Sequence, residues 1–332
     1  MGSIIEDLQN PASLSDKTES VSVVQTHISV VFVADDTVYK VKKPVDFGFL
    51  DFSTLDKRKY YCGQEVILNR RLSQGIYLDV LPVMYDGETH TLKQGGGEVV
   101  EYAVKMRRIP DNKLMKSVFN RNELSDRHLE KISRVLTEFH LNAATSNEIA
   151  EFGRPERVKV NTDENFDQVD KYIGTTIHEK EFYAISRWTE DFYSENQDLF
   201  LKRIGEGRVR DCHGDLHMEH ICFTEDLSVI DCIEFNERFR YIDSVSDIAF
   251  LLMDLEYHGG EKYSELLWDF YKRDAEEDDV DSLLTFYKVY RAFVRGKVTS
   301  FQLDDAAISA EKKKEAIQTA GRYFQLAYAY VS

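Results

Sequence analysis

His213-Gly214-Asp215-Leu216-His217-Met218-Glu219-His220 is the stretch on which the reading of this chain turns. A carboxylate at Asp215 followed five positions later by the polar ligand His220 sets a proton acceptor and a metal-ligating group on one short loop. In such chemistry the carboxylate accepts or orients the proton of an attacking hydroxyl, while cations neutralise charge on the group being transferred. The residues that follow suit a tight loop: Ile221 to Phe223 and Val229 to Phe235 read as short apolar strands joined across Thr224 to Ser228. Two acids lie within the second strand, Asp231 eleven and Glu234 fourteen residues beyond His220.

Outward from this loop the chain changes character once. Val21 to Val45 reads as a small antiparallel sheet, with an Asp35-Asp36 turn and a run ending in Lys40, Lys42 and Lys43 before Pro44. Ser53 is placed to cap a helix through Leu55, Tyr61, Val66, Ile67 and Leu72, with Gly75 as its stop. Tyr77 to Met84 and Val99 to Met106 resume strand patterning across a tip that holds Gly87, Gly95, Gly96 and Gly97. Beyond Pro110 the periodicity is helical, as in Leu129, Ile132, Val135, Leu136 and Phe139, and again from Leu283 to Val294. A lobe boundary is expected near Arg108 to Asn112, giving residues 1–109 and 110–332. The acidic run Glu276 to Asp279 reads as a solvated turn.

Composition limits the partners. With 42 Lys plus Arg against 59 Asp plus Glu in 332 residues, the formal charge of −17 repels nucleic acid, and no basic patch compensates. The lysines at 40, 42 and 43 suit a local anion the size of a nucleotide phosphate. Cys62, Cys212, Cys222 and Cys232 lack zinc-site or disulfide spacing, which fits a reducing cytoplasm. Met1 to Asn10 has acids where a leader would be basic, and no apolar run reaches the ~20 residues that span a bilayer. A cytoplasmic protein without a membrane partner is expected.

HGDLH, then a hairpin, then IEFN at 233–236 and DSVSDIAF at 243–250, resembles the aminoglycoside phosphotransferase and choline kinase superfamily. VYKVKKPV, FLDFSTL, IEFNERFRYID and FYKVYRAFVR resemble a bacterial aminoglycoside phosphotransferase-like subgroup of it. The resemblance runs from about Val21 to Val298, and only His213 to Ala249 is specific by itself. It implies an α+β, two-lobed protein-kinase-like fold: a small N-lobe of antiparallel sheet plus helix that covers the nucleotide, and a larger, mainly helical C-lobe with a catalytic-loop hairpin, metal site and acceptor site. It implies ATP-dependent transfer of the γ-phosphoryl group to a small-molecule hydroxyl, with ATP and Mg2+ as cofactors and GTP and Mn2+ as the alternatives.

The roles it implies fall on named positions. Asp215 is the catalytic base and His213 orients the loop. Lys40, with Lys42 as runner-up on the same strand face, contacts the phosphates and pairs with Glu65; Met106 is a further nucleotide-binding residue, next to the hinge at Arg107 and Arg108 whose backbone groups read the adenine edge. His220 and Glu234 are the metal ligands, with Asp231 as the other candidate acid. Asp247 braces the loop and Asp243 caps its helix, while His140 is a core histidine and His217 a group that could touch phosphate or metal. His220 stands where the family has asparagine, Glu234 replaces an aspartate, and Gln25 to Ser29 contains no glycine; Thr26 and Ser29 could offer hydroxyls or amides to phosphate there, a role polar turn residues rarely take. Arg238, Arg240, Arg291 and Arg295 are candidates for an anionic-substrate pocket or for helix pairing. Two other readings stand beside the enzyme: a degenerate, nucleotide-binding regulator with a protein partner, and a transition-metal hydrolase built on His213, Asp215, His217 and His220.

Overall fold

The computed structural model describes residues 2–305 and 308–332, so Met1, the first residue of the stretch read for a leader, lies outside the described residues. Helix α1 (Gly2–Leu8) precedes strands β1 (Ser22–Gln25), β2 (Ser29–Val33) and β3 (Thr37–Lys42). Helix α2 (Leu55–Asn69) leads to β4 (Tyr77–Tyr85), β5 (His90–Thr91), β6 (Glu98–Arg107) and α3 (Met115–Asn120). Five helices follow: α4 (Asp126–Asn142), α5 (Asn147–Glu151), α6 (Pro155–Val169), α7 (Glu179–Glu195) and α8 (Gln197–Gly205). Four short strands come next: β7 (Val209–Asp211), β8 (Ile221–Phe223), β9 (Leu227–Val229) and β10 (Tyr241–Asp243). Helices α9 (Ser244–Tyr257), α10 (Glu261–Ala275), α11 (Asp281–Ser300) and α12 (Ala310–Tyr330) complete the chain.

Two compact units result: residues up to Asn122 with Glu219–Glu237, and Glu123–Met218 with Arg238–Ser332. The first holds an antiparallel sheet in the order β1-β2-β3-β6-β4-β5, and the second is mainly helical, so the class is α+β as expected. The boundary expected at 109/110 falls just past β6. The compact division comes later because α3 belongs with the β8–β9 hairpin, where Leu114 bridges Cys222.

In the first unit the period-two pleat sorts the sheet's faces. Val30, Phe32, Tyr39, Val41, Val83 and Ala103 pack with Ile4, Leu8 and Leu14 on one side. Tyr77 and Val104 pack against Cys62 and Val66 of α2 on the other. Lys40 and Lys42, alternating with Tyr39 and Val41, therefore face α2.

Local expectations shift in three places. Thr54, not Ser53, caps α2, accepting from the Lys57 amide, while Ser53 is held by Asp51. The strand expected over Val229 to Phe235 stops at Val229. Asp231 takes the left-handed conformation (φ 62°), which breaks the extended run, and Ile230 N–H turns back to donate to the His220 carbonyl. The acidic run is more than a solvated turn: Glu277 is buried and pairs with the buried Arg203, which also grips Asp243 at 2.7–2.8 Å.

The second unit's core lies where α11 and α12 meet, with Phe293 and Phe324 in edge-to-face contact. Gly296 makes the approach close, because a Cβ there would stand 2.7 Å from the Phe324 ring. Gly296→Ala should therefore cost ~1–3 kcal/mol through overpacking. Urea unfolding measures it, and an unchanged midpoint would mean that Phe324 moves aside freely.

Candidate active site

The first unit assembles a buried charge network from three segments. Lys42 of β3 is 1% exposed, and its ammonium donates to Glu65 Oε2 of α2 at 2.5 Å and to Glu234. Lys40, one pleat away, donates to Asp231 Oδ1 at 2.7 Å and lies 2.9 Å from Glu65 Oε1. Glu65 thus divides its two oxygens between two ammonium groups. His220 Nε2 lies 3.6 Å from Asp231 Oδ2, and the Asp231 amide donates to the Tyr77 hydroxyl at 3.0 Å. Met106 is opposite Tyr77 in the β4–β6 ladder and is partly buried beside it.

Electrostatics follow from burial opposed by pairing. Burial works against the Lys42 charge, but Glu234 and Glu65 outweigh it and hold the ammonium above its ordinary value. Lys40 is likewise raised, with burial overcome by Asp231 and Glu65. For Glu65 burial is overcome by Lys40 and Lys42, and its carboxyl is lowered. At Glu234 burial prevails over Lys42 and pushes the carboxyl up.

The second unit fixes the loop that carries Asp215. Asp247, in the first turn of α9, accepts from the amides of His213 (2.8 Å) and Gly214 (2.9 Å) with its two oxygens. Gly214 has φ 87°, the left-handed region that suits glycine. Its carbonyl accepts from Arg291 Nη1 of α11 at 3.0 Å, and Arg291 also donates to Ser246. Two helical turns beyond Asp247, Asp254 accepts from the Met218 amide at 3.0 Å. His213 is buried and its Nδ1 accepts from the Asp215 amide at 3.3 Å. The Asp215 side chain is one-third exposed, with His217 Nε2 3.7 Å from its Oδ2.

Behind the loop His140 bridges Asp247 (3.1 Å) and the Tyr271 hydroxyl (2.7 Å). Burial pushes the Asp247 carboxyl up, but the His140 hydrogen bond and the charges of His140 and His213 outweigh it and bring it down to about 2.

Several expectations change. Three of the four arginines are engaged elsewhere than in an anion pocket: Arg238 forks onto Glu164 at 2.6–2.8 Å, Arg240 pairs with Asp211 at 2.5 Å, and Arg291 holds the loop. Arg295 lies over the Tyr323 ring. The Thr26 hydroxyl accepts from the Ile28 and Ser29 amides, so it is used within its own turn, and Ser29 Oγ is buried with no hydrogen-bond partner among the described residues. Asp254 and Arg291 as loop supports were not found from sequence. The only signal was the spacing of Asp254 seven residues, two helical turns, after Asp247.

Two outcomes check these networks. Glu65→Gln leaves two ammonium groups short of counter-charge and should cost ~3–5 kcal/mol in denaturant unfolding. A loss below ~1 kcal/mol would show that Glu234 and Asp231 suffice. Asp247 has a folded-state pKa below its ordinary 3.8, so the stability it contributes is complete above that value and is lost as pH falls towards about 2. Against Asp247→Asn, the native chain should lose about 2 kcal/mol more across that window. Parallel acid limbs would refute the charged role of Asp247.

Comparison with known proteins follows the same architecture. The chain superposes with a TM-score of 0.50 on a choline/ethanolamine kinase family protein from Mesorhizobium loti, at 13% identity over 95% of this chain and 92% of that one. An aminoglycoside phosphotransferase from Streptomyces rimosus, solved with ADP and streptomycin, gives a TM-score of 0.50 at 12% identity over 88% and 96%. An amicoumacin kinase solved with AMP-PNP and Ca2+ gives 0.50 at 12% identity over 92% and 88%. In sequence the chain is 31% identical over 308 residues, 92% of its length, to uncharacterised proteins of Mycobacterium tuberculosis and Mycobacterium bovis. It spans 59% of the length of those curated relatives. No protein-family model matches. Among the described residues, no helix is long and apolar enough to cross a membrane. With its antiparallel sheet and α2 in one unit and a helical second unit bearing the His213–Asp215 loop, the chain has the fold of the aminoglycoside phosphotransferase and choline kinase superfamily.

Proposed function

We propose that this chain is an ATP-dependent phosphotransferase that moves the γ-phosphoryl group to a hydroxyl of a small-molecule acceptor. The observation that carries the reading is the buried Lys42 ammonium shared by Glu65 of α2 and Glu234. A strand lysine paired with a helix carboxylate is the device by which kinase-like sites hold nucleotide phosphates. In this proposal residues 1–109 cover the nucleotide, with Lys42 and Lys40 meeting its phosphates and Met106 beside the adenine. Residues 110–332 carry the catalytic loop, the metal ligands and the acceptor site.

Asp215 accepts the proton of the attacking hydroxyl. The Asp247, Arg291 and Asp254 contacts hold its loop before substrate arrives, so little reorganisation is left for the reaction itself. His213 orients Asp215 by accepting from its amide. Glu234, Asp231 and His220 offer two carboxylates and one imidazole. As the structure stands Glu234 and Asp231 are held by Lys42 and Lys40, so in this proposal they and His220 would take up a divalent ion, Mn2+ suiting the imidazole better than Mg2+, only as those lysines turn to phosphate. When bound, that ion supplies charge neutralisation at the phosphates.

The test is a thermal-shift titration with ATP or GTP, each with Mg2+, Mn2+ or no metal, coupled to acceptor-dependent ADP release over a panel of alcohols. Nucleotide at ~100 times its dissociation constant should add about 2.7 kcal/mol. Asp215→Asn should keep that shift and lose transfer ~10²–10⁴-fold. Glu234→Ala should lose the metal-dependent part of the shift. The absence of any nucleotide response under every metal condition would sink the proposal.

A further inference from the structure

Between α12 and the connection that leads into α7, both in the second unit, lies a cavity of about 450 Å³, within the range of small-molecule sites. No residue of the His213–Met218 loop lines it. The turn that forms one wall is tied down by contacts of its own. The Gly174 amide donates to the Ile177 carbonyl at 2.8 Å, and the Thr176 hydroxyl meets that of Ser300 of α11 at 2.9 Å. Gly321 of α12 lines the other wall, and a Cβ there would meet only the Thr176 carbonyl, at 3.5 Å, an ordinary contact. Packing does not call for glycine here as it does at Gly296, and a glycine inside a helix is less stable than alanine, so what the missing side chain provides is room.

Two opposite charges line this space. Arg322 enters from α12, its guanidinium 4.5 Å from the centroid of the Tyr257 ring and its Nη2 donating to the Tyr257 carbonyl at 3.2 Å. Tyr257 is itself stacked on Tyr323 at 3.7 Å, so the guanidinium rests on a fixed support. Only that single donor of Arg322 is spent among the described residues. Gln318 and Gln325, one turn to either side, line the same face with carboxamides that make no hydrogen bond among the described residues. Glu181 enters from the first turn of α7. Its Oε2 accepts from the His178 amide at 3.3 Å while the His178 ring accepts from the Glu181 amide, a reciprocal cap that fixes the carboxylate through neutral groups. Among the described residues no ion pair joins Arg322 to Glu181, or either of them to a third group.

We infer that this cavity is a binding site for a small zwitterion of the amino-acid type, its carboxylate on the Arg322 guanidinium and its ammonium on the Glu181 carboxylate. Guanidinium donors match a carboxylate in charge and in planar geometry. A simple anion in the cavity is opposed by Glu181 and a simple cation by Arg322, whereas a molecule that carries both signs leaves neither charge unmatched. Gln318 and Gln325 offer donors and acceptors to its remaining polar groups. The site stands independently of the phosphotransferase reading, because it uses none of the residues assigned to that reaction.

The test screens the common L-amino acids singly against the intact chain by ligand-observed NMR titration, then compares the tightest binder with its des-amino acid and its decarboxylated amine. At least one amino acid should bind, and removing either of its charges should weaken binding about tenfold. Variants should divide the effect. Arg322→Gln should weaken the amino acid and the des-amino acid and leave the amine unaffected. Glu181→Gln, which keeps an acceptor for the His178 amide, should weaken the amino acid and the amine and leave the des-amino acid unaffected. Gly321→Leu fills the cavity and should abolish binding of all three, with the thermal midpoint of each variant checking that the fold is kept. Failure of every L-amino acid to bind, equal binding by the singly charged analogues, or unchanged binding in any of the three variants would overturn the inference.

Discussion

A buried ammonium must be matched by carboxylate, and the first unit is organised around that requirement at Lys42. Its partners come from α2 and from the segment after β9, so a strand, a helix and a loop far apart in sequence are bound to one charge. Left in apolar surroundings without Glu65 and Glu234, that charge would cost several kcal/mol, which is more than most single contacts supply. The constraint also explains why β3 carries Lys40 and Lys42 one pleat apart. Both must face α2, and Tyr39 and Val41, which alternate with them, must face the other core.

The second unit solves a different problem, which is to hold the His213–Met218 loop without regular structure. Loop amides left unpaired would be costly where they are buried, and α9 pairs them from one side with Asp247 and Asp254. Arg291 takes the Gly214 carbonyl from α11. His140 then locks Asp247 from behind, so α4, α9 and α11 all bear on six residues of loop, His213 to Met218. Asp215 keeps a partly exposed side chain because the structural work around it falls to other groups.

The sheet and the long helices were legible in the sequence because their signals are local: alternation in β2 and β3, and 3.6-residue spacing in α4 and α11. The HGD loop and its Asp247 brace were legible through resemblance. What was not legible depends on tertiary pairing. Periodicity put Lys40 and Lys42 on one face but could not divide Glu65 between them. A strand over Val229 to Phe235 looked reasonable until a left-handed Asp231 turned the chain. Arg291 read as a candidate for substrate or for helix pairing, because its partner is a backbone carbonyl, which every residue has and no sequence pattern marks.

The charge count of the first unit's network bears on how a nucleotide would enter it. Lys40 and Lys42 offer two positive charges against the three carboxylates of Glu65, Asp231 and Glu234, leaving a net charge of about −1 when all are ionised. A bare nucleotide, itself strongly anionic, meets lysines already committed to carboxylates. Under the proposed function, Glu234 and Asp231 would be the carboxylates to hold a divalent cation, which would supply positive charge beside the phosphates, and Lys40 and Lys42 would then be able to turn towards phosphate. Lys42 can do so without losing its counter-charge, because Glu65 remains beside it. The doubled lysine and the shared glutamate are then one device, in which Glu65 holds the cations in place while their other partners change.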